Sequence, residues 1–144
     1  ARELLFERSE ASRELNLDLS TGSRNKAGKL WCVFQPHQYH RTHDLFEKFI
    51  GAFADADRTI ILPIYSVAGR ESEEIKKMVS SEKLTEAIKT VNSQQSTINN
   101  EKEILYRESF DKAAEYLREN LRPGDVCVIM GAGDIYKLTN QLLT

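Results

Sequence analysis

Four short apolar runs, none of them alternating with polar residues, set the strongest limit on how this chain of 144 residues folds. They are Leu30-Trp31-Cys32-Val33-Phe34, Thr59-Ile60-Ile61-Leu62-Pro63-Ile64, Glu103-Ile104-Leu105-Tyr106 and Val126-Cys127-Val128-Ile129-Met130. A strand with one wet face alternates apolar and polar residues, whereas a strand covered on both faces is apolar throughout. Helical periodicity fills the gaps. Leu45, Phe46, Phe49, Ile50 and Phe53 recur at helical spacing behind Thr42, which is expected to serve as N-cap. Phe110, Ala113, Ala114 and Leu117 do the same behind Ser109, in a helix that must stop before Pro123-Gly124. A last helix carries Ile135, Leu138 and Leu142, a short one covers residues 73–79, and residues 2–15 form another with Leu4, Leu5, Ala11 and Leu15 as its stripe. Residues 20–29 and the polar run 93–100 read as loops, the second as a surface insertion. Strand and helix in alternation predict an α/β fold, with a doubly wound, mostly parallel sheet and helices on both faces. The single domain spans 1–144.

Composition narrows the function classes. A net charge of −2 gives no reason to expect nucleic acid or an anionic membrane as partner. No apolar run approaches the roughly 18 residues of a membrane helix. Cys32 and Cys127 each sit inside an apolar run, without the spacing of a disulfide framework or metal site, which suits buried thiols in a reducing cytoplasm.

Chemistry is expected at the carboxyl ends of the strands, where open α/β sheets bind ligands. After the first strand comes Gln35-Pro36-His37-Gln38-Tyr39-His40-Arg41-Thr42, holding two of the three histidines, with His43 next. A helix N-terminus beginning near Thr42, with Arg41 beside it, describes an anion site. The plain alternative is a polar surface turn. A zinc site from His37, His40 and His43 lacks a completing Cys or acidic cluster, so no metal is assigned. After the fourth strand, Gly131-Ala132-Gly133-Asp134 opens the last helix. It is either a ligand-approaching glycine turn or an ordinary turn with Asp134 as cap. After the second strand, Tyr65 and Arg70 could rim the same crevice or belong to a plain loop. The segment from Gly22 to Leu30 imitates a phosphate-binding P-loop. However, five residues separate its glycines, Leu30 stands where a hydroxyl is required, and a strand follows where one should precede. The chain by itself therefore lacks machinery for Mg-ATP.

Taken in order, these segments resemble the C-terminal domain of the Mur ligases. The family's turn is close to F-Q-P-H-R-Y-S-R-T, and here it reads Phe34-Gln35-Pro36-His37-Gln38-Tyr39-His40-Arg41-Thr42. Leu62-Pro63-Ile64-Tyr65, Ala68-Gly69-Arg70-Glu71, Pro123-Gly124-Asp125 and Gly131-Ala132-Gly133-Asp134-Ile135 are similar to the family too, over about residues 30–143, whereas residues 1–29 match poorly.

The resemblance implies a Rossmann-like, amino-acid-binding domain. Separate N-terminal and central domains would hold the UDP-sugar and Mg-ATP. In the branch most similar to this chain the substrates are UDP-N-acetylmuramate, L-alanine and ATP, and the product is an amide formed in the cytoplasm through an acyl phosphate. The domain alone is then expected to be inactive. By resemblance Arg41 and His37 lie at the reacting end. Gln38, Tyr39, His40, Thr42, Tyr65, Arg70, Gly131, Gly133 and Asp134 line the substrate or nucleotide side. Gln38 replaces a family Arg and His40 a family Ser, so one permanent cation is missing. The competing readings are a stand-alone nucleotide- or carboxylate-binding module without catalysis and a non-catalytic interaction domain.

Overall fold

The structure, a computed structural model, describes residues 28–95 and 102–144. The helix expected at 2–15, most of the loop at 20–29 and the 96–100 part of the insertion fall outside the described residues. The elements run β1 (Leu30–Gln35), α1 (Tyr39–Asp44), α2 (Phe46–Ala52), β2 (Arg58–Ile61), α3 (Glu73–Met78), α4 (Ser81–Gln95), β3 (Glu103–Tyr106), α5 (Phe110–Asn120), β4 (Val126–Gly131) and α6 (Tyr136–Leu143).

The four strands form one sheet in the order β3-β2-β1-β4, and every pairing is parallel. β1 is thus central. Its register sets Cys32 beside Thr59 on one side and Val128 on the other. The apolar runs resolve into two faces, as continuous hydrophobicity requires. Trp31, Val33, Ile60 and Leu62 pack with Ala113, Ala114 and Leu117 of α5 and Leu138 of α6. Cys32, Ile61 and Ile104 pack on the other face with Phe53 and with Leu84 and Ile88 of α4. On that side α2 lays Phe49 against Phe34, ring centroids 5.1 Å apart. The doubly wound architecture read from the sequence is the one observed.

Several boundaries differ from expectation. β2 ends at Ile61 rather than 64, because Leu62 makes the last bond of the ladder, to the Phe34 carbonyl, and Pro63 has no N–H to continue it. Residues 93–95, expected in a loop, extend α4. The helix expected behind Thr42 begins earlier and is broken at Leu45 into α1 and α2. Ser109 caps α5 as its place ahead of the apolar stripe implies, and Ser72 caps α3: their hydroxyls accept from the Lys112 and Ile75 amides. Neither Cys32 nor Cys127 is in a disulfide. Burial pushes the Cys127 thiol up to about 12, so it remains protonated at neutral pH.

The end of the sheet away from the strand carboxyl termini is closed by two aspartates. Asp57 accepts from the Leu30 amide. Asp125 accepts from the Lys29 amide at 2.8 Å, the Arg122 amide at 3.0 Å and the Trp31 indole N–H at 3.0 Å. Trp31 is 1% exposed, so its indole N–H depends on Asp125. Asp125→Ala should cost about 2–3 kcal/mol in urea unfolding. Trp31 is the sole tryptophan, so its fluorescence reports the transition.

Candidate active site

β1 is the point at which the winding of the sheet reverses. The chain passes from β1 to β2 and β3 on one side, then returns across to β4 on the other. In open α/β sheets the carboxyl edge at such a reversal is where ligands bind, between the loops that follow the two strands. The two turns singled out in the sequence border it, with Gln35 and Gly131 as register partners at its base.

A third loop joins them. Beyond β2 the backbone bends back and runs beside the β1 turn, with His37 and Tyr65 forming an isolated parallel bridge. The Tyr65 amide donates to the Pro36 carbonyl at 2.8 Å, and the Gln38 amide donates to the Tyr65 carbonyl at 2.7 Å. The Tyr65 ring stacks on the His37 ring, 5.5 Å between centroids and 13° between planes. Tyr65 also touches the β4 turn: a Cβ on Gly133 would lie 2.8 Å from its ring, and Gly133 sits at φ 85. Gly131 is constrained in the same way, since a Cβ there would lie 3.1 Å from the Gln35 Cβ. His37, Tyr65 and Gly133 thus form a row drawn from the loops after β1, β2 and β4.

Buried polar atoms stand at this edge without partners. Gln35 is 6% exposed, and its Oε1 has no hydrogen bond; neither has the buried Nδ1 of His37. Such atoms are costly unless a ligand or water completes them. Arg41 is exposed on α1, and among the described residues its guanidinium has no partner. Arg70 is likewise exposed, on the loop that carries Tyr65. Tyr39 is half-buried and His40 exposed. Asp134 does not cap α6. Its Oδ2 approaches Lys137 at 3.5 Å, and Ile135 occupies the N-cap position without a side-chain bond.

Thr42 is not the N-cap of α1. Gln38 takes that position, and Thr42 is fully buried within the helix, donating its hydroxyl to the Gln38 carbonyl at 2.7 Å. Gln38 adopts φ 65 and ψ 140, a backbone conformation that costs a non-glycine residue about 1–3 kcal/mol and persists only where neighbours impose it. Nor is the start of α1 vacant for a ligand anion. Glu71, a residue that sequence reasoning placed in a motif but not at the site, is there already. Its Oε1 accepts from the His40 amide at 2.9 Å and its Oε2 from the Ser66 hydroxyl at 2.7 Å. Burial pushes its pKa up, but bonds from the His40 amide, the Ser66 hydroxyl and the Tyr39 amide more than offset this and hold it below the ordinary glutamate value. The available signal was Glu71's position shortly after Gly69, on a loop already assigned to the ligand edge.

Among the described residues no group of three His, Cys, Asp or Glu is placed to hold a metal ion. No helix there is long and apolar enough to cross a membrane.

Comparison with known proteins agrees with the geometry. A family described as "Mur ligase, glutamate ligase domain" matches residues 14–133. The chain is 35% identical over 130 residues to the UDP-N-acetylmuramate–L-alanine ligase of Acetivibrio thermocellus, covering 90% of this chain and 25% of that protein. It is 37% identical over 130 residues to the enzyme of the same name from Lachnospira eligens, covering 90% and 26%. Against that of Clostridium acetobutylicum it is 33% identical over 131 residues, covering 91% and 26%. The chain spans about a quarter of the length of these relatives.

Two outcomes follow from the packing. Gly133→Ala places a methyl inside the Tyr65 ring and forbids the present backbone angle. It should destabilise the chain by about 1–3 kcal/mol in urea unfolding and broaden the Tyr65 ring resonances in NMR spectra. Because Glu71's folded pKa lies below its unfolded value, its contribution is present above the unfolded pKa and is lost as pH falls through the folded one. An NMR titration of the Glu71 carboxyl carbon should show it charged throughout the neutral range, with its midpoint below the ordinary glutamate value.

Proposed function

The chain belongs to the Mur ligases through their glutamate ligase domain, and from this premise we propose that it is the amino-acid-binding part of an ATP-dependent ligase joining L-alanine to UDP-N-acetylmuramate in peptidoglycan synthesis. The observation that carries the reading is the row of His37, Tyr65 and Gly133 at the switch point, followed on α1 by an exposed Arg41 that has no partner among the described residues. The names and coverage of the relatives support the choice of substrates.

In this reading the reaction forms an amide. ATP transfers its terminal phosphoryl group to the muramate carboxylate, giving an acyl phosphate and ADP; the alanine amine attacks the acyl carbon, phosphate leaves, and the amine gives up a proton. Mg-ATP and the UDP-sugar belong to regions outside this chain. Among the described residues no group of three His, Cys, Asp or Glu is placed to hold a metal ion. Arg41 binds the alanine carboxylate through its planar fork, which matches two carboxylate oxygens. His37, its ring stacked face to face on that of Tyr65, carries the unpartnered Nδ1, which in this reading accepts a proton of the attacking amine. Gly131 and Gly133 keep the β4 side free of side chains so that a reactant can approach the backbone closely. Gln38, Tyr39, His40, Thr42, Asp134 and Arg70 shape or rim the pocket. Both nucleotide reactants are made inside the cell, so the enzyme works in the cytoplasm.

A stand-alone binding module would use the same crevice without chemistry. It predicts affinity for the amino acid in the absence of the other substrates and no product under any condition.

Arg41→Ala in the full-length enzyme should lower kcat/KM for L-alanine about tenfold to a thousandfold, the range for losing a charge-assisted contact of roughly 1.5–4 kcal/mol. Steady-state phosphate release measures it. Unchanged kinetics would remove Arg41 from the site.

A further inference from the structure

We propose that Glu71 is the positioning residue of this site: by binding the first turn of α1 and the loop after β2 with its two carboxylate oxygens, it fixes the place from which Arg41 meets the amino-acid carboxylate. The inference rests on the amino-acid-binding reading above and deepens it.

Its basis is the geometry of one carboxylate. The two oxygens are used separately, Oε1 by the His40 amide and Oε2 by the Ser66 hydroxyl, so Glu71 spans two segments rather than decorating one. His40 immediately precedes Arg41, so the bonded peptide sets the backbone position from which the Arg41 side chain projects. α1 has six residues and no acidic residue in its own first turn, so Glu71 is the carboxylate that satisfies its leading N–H groups. The residue ahead of that turn, Gln38, is in a disfavoured conformation. It is held from one side by the Tyr65 carbonyl, and from the other by the helical turn that Glu71 secures. If that hold is lost, Gln38 can relax to negative φ. The relaxation rotates the first turn of α1 and carries Arg41 away from the row of His37, Tyr65 and Gly133. Displacement of a binding group by about 1 Å is enough to cost a hundredfold in a reaction that depends on orientation. The exposed setting of the Glu71 loop means that little of the fold depends on it.

The test is steady-state kinetics of the full-length ligase with each of its three substrates varied in turn, alongside thermal melting. Glu71→Ala should raise KM for L-alanine about tenfold to a hundredfold. KM for ATP and for UDP-N-acetylmuramate should stay at wild-type values, with melting little changed. Glu71→Gln should restore most of the loss, because its amide oxygen accepts from His40 and its amide N–H donates to Ser66. Ser66→Ala, which removes one bond of the two and leaves the carboxylate in place, should give a smaller rise in the same constant. It also serves should Glu71→Ala fail to fold. A wild-type KM for L-alanine in both Glu71→Ala and Ser66→Ala overturns the inference, as does a Glu71→Gln enzyme no better than Glu71→Ala. A wild-type enzyme that ligates no amino acid overturns the underlying reading instead, and the inference with it.

Discussion

The backbone of β1 must be satisfied on both edges, and the site follows from how that requirement is met where the strand ends. Within the sheet β2 and β4 supply the partners. Past Gln35 the β4 chain turns away into a glycine loop, and β2 has already stopped at a residue ahead of Pro63. The exposed groups of Pro36 and Gln38 would then be left to water. Tyr65 fills the gap, accepting from one and donating to the other. A buried parallel strand thereby extends its pairing by one bridge beyond the sheet, and that bridge brings a side chain from the β2 loop across the end of β1 to Gly133. The convergence of three loops is a consequence of backbone hydrogen bonding before it is one of ligand binding.

Much of this was legible in the sequence, because continuous apolar runs and helical spacing are local signals. The four strands, the helix behind Ser109, the placement of Gly131-Ala132-Gly133 after a strand and the common edge of the two turns all rest on such signals. Three features leave no periodic trace, two of them because they rest on contacts between segments distant in sequence. The early start of α1 is one, since a Thr ahead of an apolar stripe looks like a cap whether or not its hydroxyl turns inward. Thr42 is 0% exposed and bonds back to Gln38, a use of threonine inside a helix that propensity does not distinguish from capping. The position of Tyr65 against His37 is another, and Glu71 at the start of α1 is the third, 31 residues from its amide partner.

The two glycines of the β4 turn show why half a motif can still be informative. Read as a fragment of a dinucleotide fingerprint they carry little weight. Read against the structure each has its own steric reason: Gly131 lies beside Gln35 at the last register pair, and Gly133 lies under the Tyr65 ring with positive φ. Neither reason involves a nucleotide. The same bareness leaves open backbone beside the unpartnered Gln35 Oε1 and His37 Nδ1, so packing necessity and ligand access coincide at one place.

Charge bookkeeping at the turn separates the roles of Glu71 and Arg41. A helix N-terminus is worth about half a positive charge, less for a helix of so few turns. Glu71 brings a full negative charge within hydrogen-bonding distance of it, so the helix end by itself no longer attracts an anion. What restores a positive balance is Arg41, with Arg70 farther along the rim. Arg41 carries a whole positive charge, against half of one at most for a helix end. In the proposed reading, selectivity for a carboxylate therefore rests on the guanidinium and on its orientation, and very little on the helix dipole. A Gln at position 38 has the same consequence. In the proposed reading, with the arginine of the resembled turn absent at position 38, the grip on an anionic reactant leans on Arg41 and so on how α1 is held.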